Sequence, residues 1–177
     1  MNSVFWSLCR LWVRIRRGRV PPPHVPDPVW YFAYGSNMNE RLFWKRRHMT
    51  PIETRIGRLA DHRLCFTVAG GMRPGVSAPA DIADDPGGMV HGVLYLLPLR
   101  KFVRLDASEG RQYAYLWTEV EDTGGRFVPV VTYKVRTAAP EGQPSRRYMD
   151  VIREAARQRA LPEDYVEFLE NVNHAER

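Results

Sequence analysis

A chain of 177 residues, 44% apolar and 26% charged, is long enough to bury a core and short enough for one domain. Its formal charge of +6 is misleading: Arg10, Arg14, Arg16, Arg17 and Arg19 supply five charges, leaving about +1 for the remainder. A near-neutral body lacks the basic face that phosphate binding needs, which excludes nucleic acid as the domain's partner. Two cysteines, Cys9 and Cys65, and five scattered histidines give neither a disulfide framework nor metal-ligand spacing, so no cofactor is implied.

Residues 1–29 form an arm and linker, and residues 30–173 the domain. In the arm, Val4, Phe5, Leu8, Leu11, Trp12 and Ile15 fall on one helical stripe, with Arg10, Arg14 and Arg17 opposite. The stretch is too short and too charged to span a bilayer. Its charges follow the apolar segment, the wrong order for a secretory signal. An interfacial helix in weak contact with acidic membrane, a disordered arm and an over-long translation start remain open. Pro21-Pro22-Pro23, Pro26 and Pro28 make a stiff linker. A cytoplasmic protein is expected, peripheral to membrane only through this arm.

The domain opens with a strand, Trp30–Tyr34, that runs into Gly35. Asn37 is placed as a helix N-cap and Glu40 three residues later as its capping-box partner, the helix ending near Arg47. Arg55–Leu59 and His62–Val68 read as two strands, with Cys65 a buried, inert thiol. Residues 69–75 read as a flexible loop. Val76–Ala83 and Met89–Leu97 flank Asp84-Asp85-Pro86-Gly87-Gly88, a hairpin turn by composition.

Pro98 suits the first turn of a helix whose buried side is Leu99, Phe102, Val103 and Leu105, with Gly110 as its C-terminal cap. Tyr113–Glu121 and Arg126–Val135 pair across Asp122-Thr123-Gly124-Gly125. Two helices close the chain, with apolar stripes Tyr148, Val151, Ile152, Ala155 and Tyr165, Phe168, Leu169, Val172. About seven short strands with few helices between them predict an α+β fold, a small, mostly antiparallel β-barrel with peripheral helices.

Two stretches carry chemistry. A strand entering the turn Tyr34-Gly35-Ser36-Asn37 can present backbone N–H groups to an anion. In Leu105-Asp106-Ala107-Ser108-Glu109-Gly110, one carboxylate stands at a helix C-terminus, where the helix dipole and burial both favour the neutral form of an acid. An acid so placed can take a proton and return it. Separately, each stretch is also what an ordinary turn or helix end looks like. Together they point to proton transfer on a small carboxylated substrate.

Tyr31–Asn37, Ala78–Leu97 with Gly87 and Gly92, Leu105–Gly110, Pro144-Ser145…Tyr148 and Leu161-Pro162…Tyr165 occur in an order that resembles the γ-glutamylcyclotransferase family. The resemblance spans roughly residues 30–173 and implies the same barrel. It implies that Tyr34, Gly35, Ser36 and Asn37 bind the α-carboxylate end of a γ-glutamyl group, and that Glu109 is the general base and acid. Tyr115, opening the following strand, and Tyr133, on the later one, would line the pocket, with Tyr113 a substitute if the deletion after Gly110 is placed differently. The implied reaction closes the substrate's α-amine onto its γ-carbonyl, releasing 5-oxoproline and an amino acid without metal or nucleotide. γ-Glutamylamines, or a γ-glutamyl protecting group in a biosynthetic pathway, are the alternative substrates; the amine enzymes carry Tyr-Gly-Thr-Leu at the turn, so Ser36-Asn37 favours amino acids. A non-catalytic barrel held at a membrane is the reading from another class.

Overall fold

The computed structural model describes residues 25–68 and 78–175. Five strands form one closed barrel: β1 (Val29–Ala33), β2 (Glu53–Cys65), β3 (Asp81–Leu97), β4 (Tyr113–Asp122) and β5 (Phe127–Val135), in the order β1-β3-β2-β4-β5. β1 is short and apolar throughout because it is buried between two neighbours. It runs antiparallel to β3, Tyr31 facing Tyr95, and parallel to β5, Tyr31 facing Val131. That one parallel pair closes the barrel and leaves no open edge.

The small antiparallel barrel with outer helices is as expected, but with five strands where the sequence reads about seven. The two stretches either side of Asp61 are one strand, β2, and the two either side of Asp84–Gly88 are one strand, β3. Ala60 pairs with Met89 and His62 with Asp84, so residues 85–88 bulge opposite Asp61. Asp61 takes a left-handed φ of 58° and Gly87 one of 81°, and the Asp61 carboxylate accepts the Gly87 N–H at 3.0 Å. Turn-forming residues here bend a long hairpin at a bulge without ending it. Asp122-Thr123-Gly124-Gly125 does turn the chain, the Asp122 carboxylate accepting the N–H groups of Gly124 and Arg126 at 2.9 and 3.1 Å.

Between β1 and β2 the chain makes a 3-10 turn at Ser36–Met38 and a π-helical turn at Arg41–Arg46. Asn37 is therefore inside the first turn and caps no longer helix. Asn39 does that work, its Oδ1 accepting the Leu42 N–H at 3.1 Å, and Glu40 reaches Arg159 at 3.6 Å instead of closing a capping box.

α1 (Leu99–Ser108) buries Leu99, Phe102, Val103, Leu105 and Asp106 against the barrel. It ends at Glu109, whose backbone is extended at φ −77° and ψ 149°. Positive φ among the described glycines is confined to Gly87 and Gly125, so Gly110 is not a left-handed cap. α2 (Arg146–Gln158) starts at Ser145, whose Oγ accepts the Tyr148 N–H at 3.3 Å. Its buried side is Met149, Ile152, Arg153, Ala155 and Ala156, with Val151 half-buried. In α3 (Glu163–Glu170), Tyr165 and Leu169 are buried while Phe168 is 45% exposed. Buried Arg153 donates to the carbonyls of Leu169, Glu170 and Val172, a cation satisfying a helix C-terminus.

The packed domain starts earlier than composition indicates. Val25 is buried, and the Asp27 carboxylate accepts the Leu99 N–H at 3.0 Å at the start of α1. The basic arm with its membrane reading, and the loop at 69–75, lie outside the described residues. No helix of the described residues is long and apolar enough to cross a membrane. Cys65 is buried, and burial pushes its thiol up to about 11.

Candidate active site

Three segments meet at one end of the barrel: the turn leaving β1, the residue ending α1, and the inward-facing tyrosines of β4 and β5. They enclose a small, half-open cleft whose cavity volume is about 60 Å³. Tyr34, Gly35, Ser36, Asn37, Glu109 and Tyr133 all line it, and Tyr31, Arg47, Ala80, Tyr113 and Tyr148 complete the wall. Residues 72 positions apart are in direct contact there.

Glu109 is the one acid of the lining and Arg47 the one base, among the described residues. Because Glu109 leaves the helix in extended conformation, its side chain turns into the cleft and is 14% exposed. Its Oε1 accepts from Asn37 Nδ2 at 3.1 Å and from Arg47 Nη1 at 3.3 Å. Asn37 Nδ2 also donates to the Tyr31 hydroxyl at 2.9 Å. Both amide hydrogens of Asn37 are thus engaged, and its buried Oδ1 has no hydrogen-bond partner among the described residues.

The backbone of the turn is held from beneath. The buried Tyr95 hydroxyl lies 3.2 Å from the Asn37 carbonyl and 3.3 Å from that of Met38, and accepts from Arg159 Nη2 at 3.2 Å. Tyr34 donates to the Tyr133 carbonyl at 2.6 Å, tying the end of β1 to β5. Tyr133 donates to buried Asp106 at 3.1 Å. Across the cleft, Tyr113 donates to the Ala80 carbonyl at 2.7 Å, and Tyr148 Oη accepts the Ala80 N–H at 3.0 Å. The segment entering β3 is therefore clamped on both its polar groups.

Burial raises the phenols of Tyr31, Tyr34, Tyr113, Tyr133 and Tyr148 above the ordinary tyrosine range. The negative charge of Glu109 adds to this for Tyr31, Tyr113, Tyr133 and Tyr148. All five are neutral hydrogen-bonding groups near pH 7. The cleft is thus a ring of uncharged hydroxyls around one carboxylate and one guanidinium, suited to a zwitterionic ligand. Among the described residues, no group of His, Cys, Asp and Glu is arranged to hold a metal ion.

Tyr115 is not part of the cleft lining. It pairs with Tyr133 across the strands, its ring 5.8 Å from that of Tyr133 and 6.1 Å from Phe102. Tyr113, two residues earlier on the same face of β4, is the one in the wall. In the sequence Tyr31 reads as a strand residue opening the Tyr31–Asn37 motif, Arg47 as a helix end, and Tyr148 as part of an apolar stripe and of the Pro144-Ser145…Tyr148 motif. Strand alternation does send Tyr31 inward, but nothing local distinguishes Arg47 from its neighbour Arg46.

A family model described as the AIG2-like family matches residues 89–169. Gamma-glutamyl cyclotransferase verK of Clonostachys rogersoniana is 32% identical over 151 residues, 71% of this chain and 84% of that protein. Gamma-glutamyl cyclotransferase aclK of Aspergillus oryzae is 28% identical over 170 residues, 82% of this chain but only 62% of that protein's length. A solved structure named Gamma-glutamyl cyclotransferase shares the fold with a TM-score of 0.75 at 24% identity, over 85% of this chain and 91% of its own. From its 32% identity to a relative matched over 84% of its length, the chain belongs to the γ-glutamylcyclotransferase family.

Proposed function

We propose that this protein is a γ-glutamylcyclotransferase that acts on γ-glutamyl amino acids or peptides and releases 5-oxoproline and the free amine component. The observation that carries the reading is Glu109, the one acid among the described lining residues of a cleft rich in neutral phenols, held at 3.1 Å by the Asn37 amide of the opposing turn.

In this mechanism the glutamyl α-carboxylate lies against Tyr34–Asn37 and the α-ammonium between Glu109 and Asn37 Oδ1. Glu109 takes a proton from the ammonium, and the freed amine attacks the γ-carbonyl carbon to form the carbon–nitrogen bond of the ring. Glu109 then gives the proton to the departing amide nitrogen as its bond to the γ-carbon breaks. One proton is taken and returned through Glu109, so the carboxylate is regenerated; the second proton that the ring nitrogen sheds on becoming a lactam ends on the released amine, which leaves as an ammonium. The protein contributes a bent substrate shape and a proton carrier.

The test is release of 5-oxoproline from a panel of γ-glutamyl amino acids, peptides and amines, with glutaryl amides as controls. 5-Oxoproline and amine in equal amounts, with glutaryl donors inert, is the expected result. Release of glutamate, or cleavage of a glutaryl donor that has no α-amine, would make the protein a hydrolase and overturn ring closure.

A further inference from the structure

We infer that Arg47 reads the leaving group: it holds a free carboxylate on the carbon beside the departing nitrogen, which makes γ-glutamyl derivatives of single α-amino acids the preferred substrates. The inference rests on the cyclotransferase reading above.

Arg47 follows the π-helical turn and stands in the cleft wall with its side chain 27% exposed. Only Nη1 makes hydrogen bonds among the described residues, to Ser108 Oγ at 2.5 Å and Glu109 Oε1 at 3.3 Å. Ser108 gives its own proton to the Leu105 carbonyl at 2.7 Å, so a lone pair stays turned toward the guanidinium and fixes it. Nε and Nη2, the pair with which arginine grips a carboxylate side-on, make no hydrogen bond within the described residues.

A guanidinium placed only to hold Glu109 would engage it with two nitrogens at the usual charge-assisted distance of about 2.7–2.9 Å. Here one nitrogen reaches one oxygen, at 3.3 Å, and Asn37 already holds that oxygen. The remaining donors have a different use in the reaction. The departing nitrogen must lie against the Glu109 carboxylate to receive its proton. In an α-amino acid the carboxylate is attached to the carbon next to that nitrogen, so it falls beside the guanidinium. The glutamyl carboxylate belongs to the turn, which leaves the single cation of the lining for the second carboxylate. A simple amine, or a dipeptide whose first carboxylate is an amide, gives Arg47 no charge to meet.

The experiment compares initial rates of 5-oxoproline release from γ-glutamyl-alanine and γ-glutamyl-alaninamide by the full chain, by Arg47→Gln and by Arg47→Lys. The native protein should favour the acid about tenfold to hundredfold in kcat/KM, the scale of one charge-assisted hydrogen-bonded pair. Arg47→Gln should bring that ratio close to one. Arg47→Lys should keep part of it, because a point charge attracts a carboxylate without the fork; this variant decides the matter if Arg47→Gln does not fold. Equal native rates on both donors, or an unchanged ratio in both variants, would overturn the role of Arg47 while leaving the activity standing. So would a fall by the same factor on both donors, which would mean that Arg47 acts only through Glu109. No release from either donor by the native protein would overturn the cyclotransferase reading itself.

Discussion

Asn37 and Glu109 are 72 residues apart in the chain and 3.1 Å apart in the fold, the amide donating to the carboxylate. The contact needs two departures from regular structure. Asn37 sits in a 3-10 turn that points its side chain inward, and Glu109 has left its helix for an extended backbone. Each would face elsewhere in a continuous helix. With Tyr31 taking the second amide hydrogen, the Asn37 side-chain oxygen Oδ1 is oriented but unpartnered among the described residues. A substrate ammonium would satisfy it.

Replacing Glu109 by Gln keeps the side chain's size and an acceptor for Asn37 while removing the proton carrier. Turnover should fall by at least ~10²-fold. The melting temperature should change little, since Glu109 supplies only the partly exposed edge of the cleft. Near-native 5-oxoproline release by a folded Glu109→Gln protein would remove this residue from the mechanism.

Gly35 and Gly87 should fail in different ways. A Cβ at Gly35 would lie 3.2 Å from both the Ala80 Cβ and the Tyr148 hydroxyl, and those two are clamped to each other at 3.0 Å. Gly35→Ala must therefore push the cleft wall by a few tenths of an ångström, and KM should rise several-fold. Gly87 has nothing within 4 Å but a φ of +81°. Gly87→Ala should cost about 1 kcal/mol of backbone strain, lowering Tm by about 2–4 °C with KM unchanged. Equal KM values in the two variants would make the first turn merely structural.

The barrel was legible because its strands alternate and its helices carry apolar stripes, both local signals. What misled was turn chemistry. Asp61, Asp84–Gly88, Asn37 and Gly110 are residues that turns and caps favour, and only cross-strand register shows that the first two mark a bulge inside one long hairpin. The motif residues from Tyr34 to Asn37 and Glu109 could be named from their order along the chain. Arg47 could not, because its place depends on which elements meet at the cleft; Tyr31 and Tyr148 stand in the same ordered motifs, but nothing local assigns them to the wall. Tyr113 and Tyr115 share a strand face, so alternation cannot choose between them; the curvature that brings one to the wall is a property of the closed barrel.

That choice can be measured. Tyr113→Phe deletes the 2.7 Å hydrogen bond to the Ala80 carbonyl and loosens the cleft wall. A loss of up to about tenfold in kcat/KM is expected, the scale of one neutral hydrogen bond. Tyr115→Phe, outside the lining, should cost less. Steady-state kinetics on one γ-glutamyl amino acid suffices, and the opposite order would return the substrate-facing role to Tyr115.

Alkaline pH should unfold the protein abruptly. The chain has eight tyrosines, and burial raises the phenols of Tyr31, Tyr34, Tyr95, Tyr113, Tyr133, Tyr148 and Tyr165. Tyr95 is held lowest of those with a value, at about 12, because Arg159 partly offsets its burial. Below pH ~10 these groups are protonated in both folded and unfolded chains and leave stability unchanged. Above it the unfolded chain loses their protons while the folded one keeps them. The unfolded state then binds fewer protons, and stability falls by about 1.4 kcal/mol per pH unit for each tyrosine. Several acting together would exhaust a typical 5–15 kcal/mol within about one or two units. Phenolate absorbance followed together with near-ultraviolet circular dichroism should therefore show most of the tyrosines ionising only as tertiary structure is lost. Reversible ionisation of most of them near pH 10 with the tertiary signal intact would contradict the burial of these phenols.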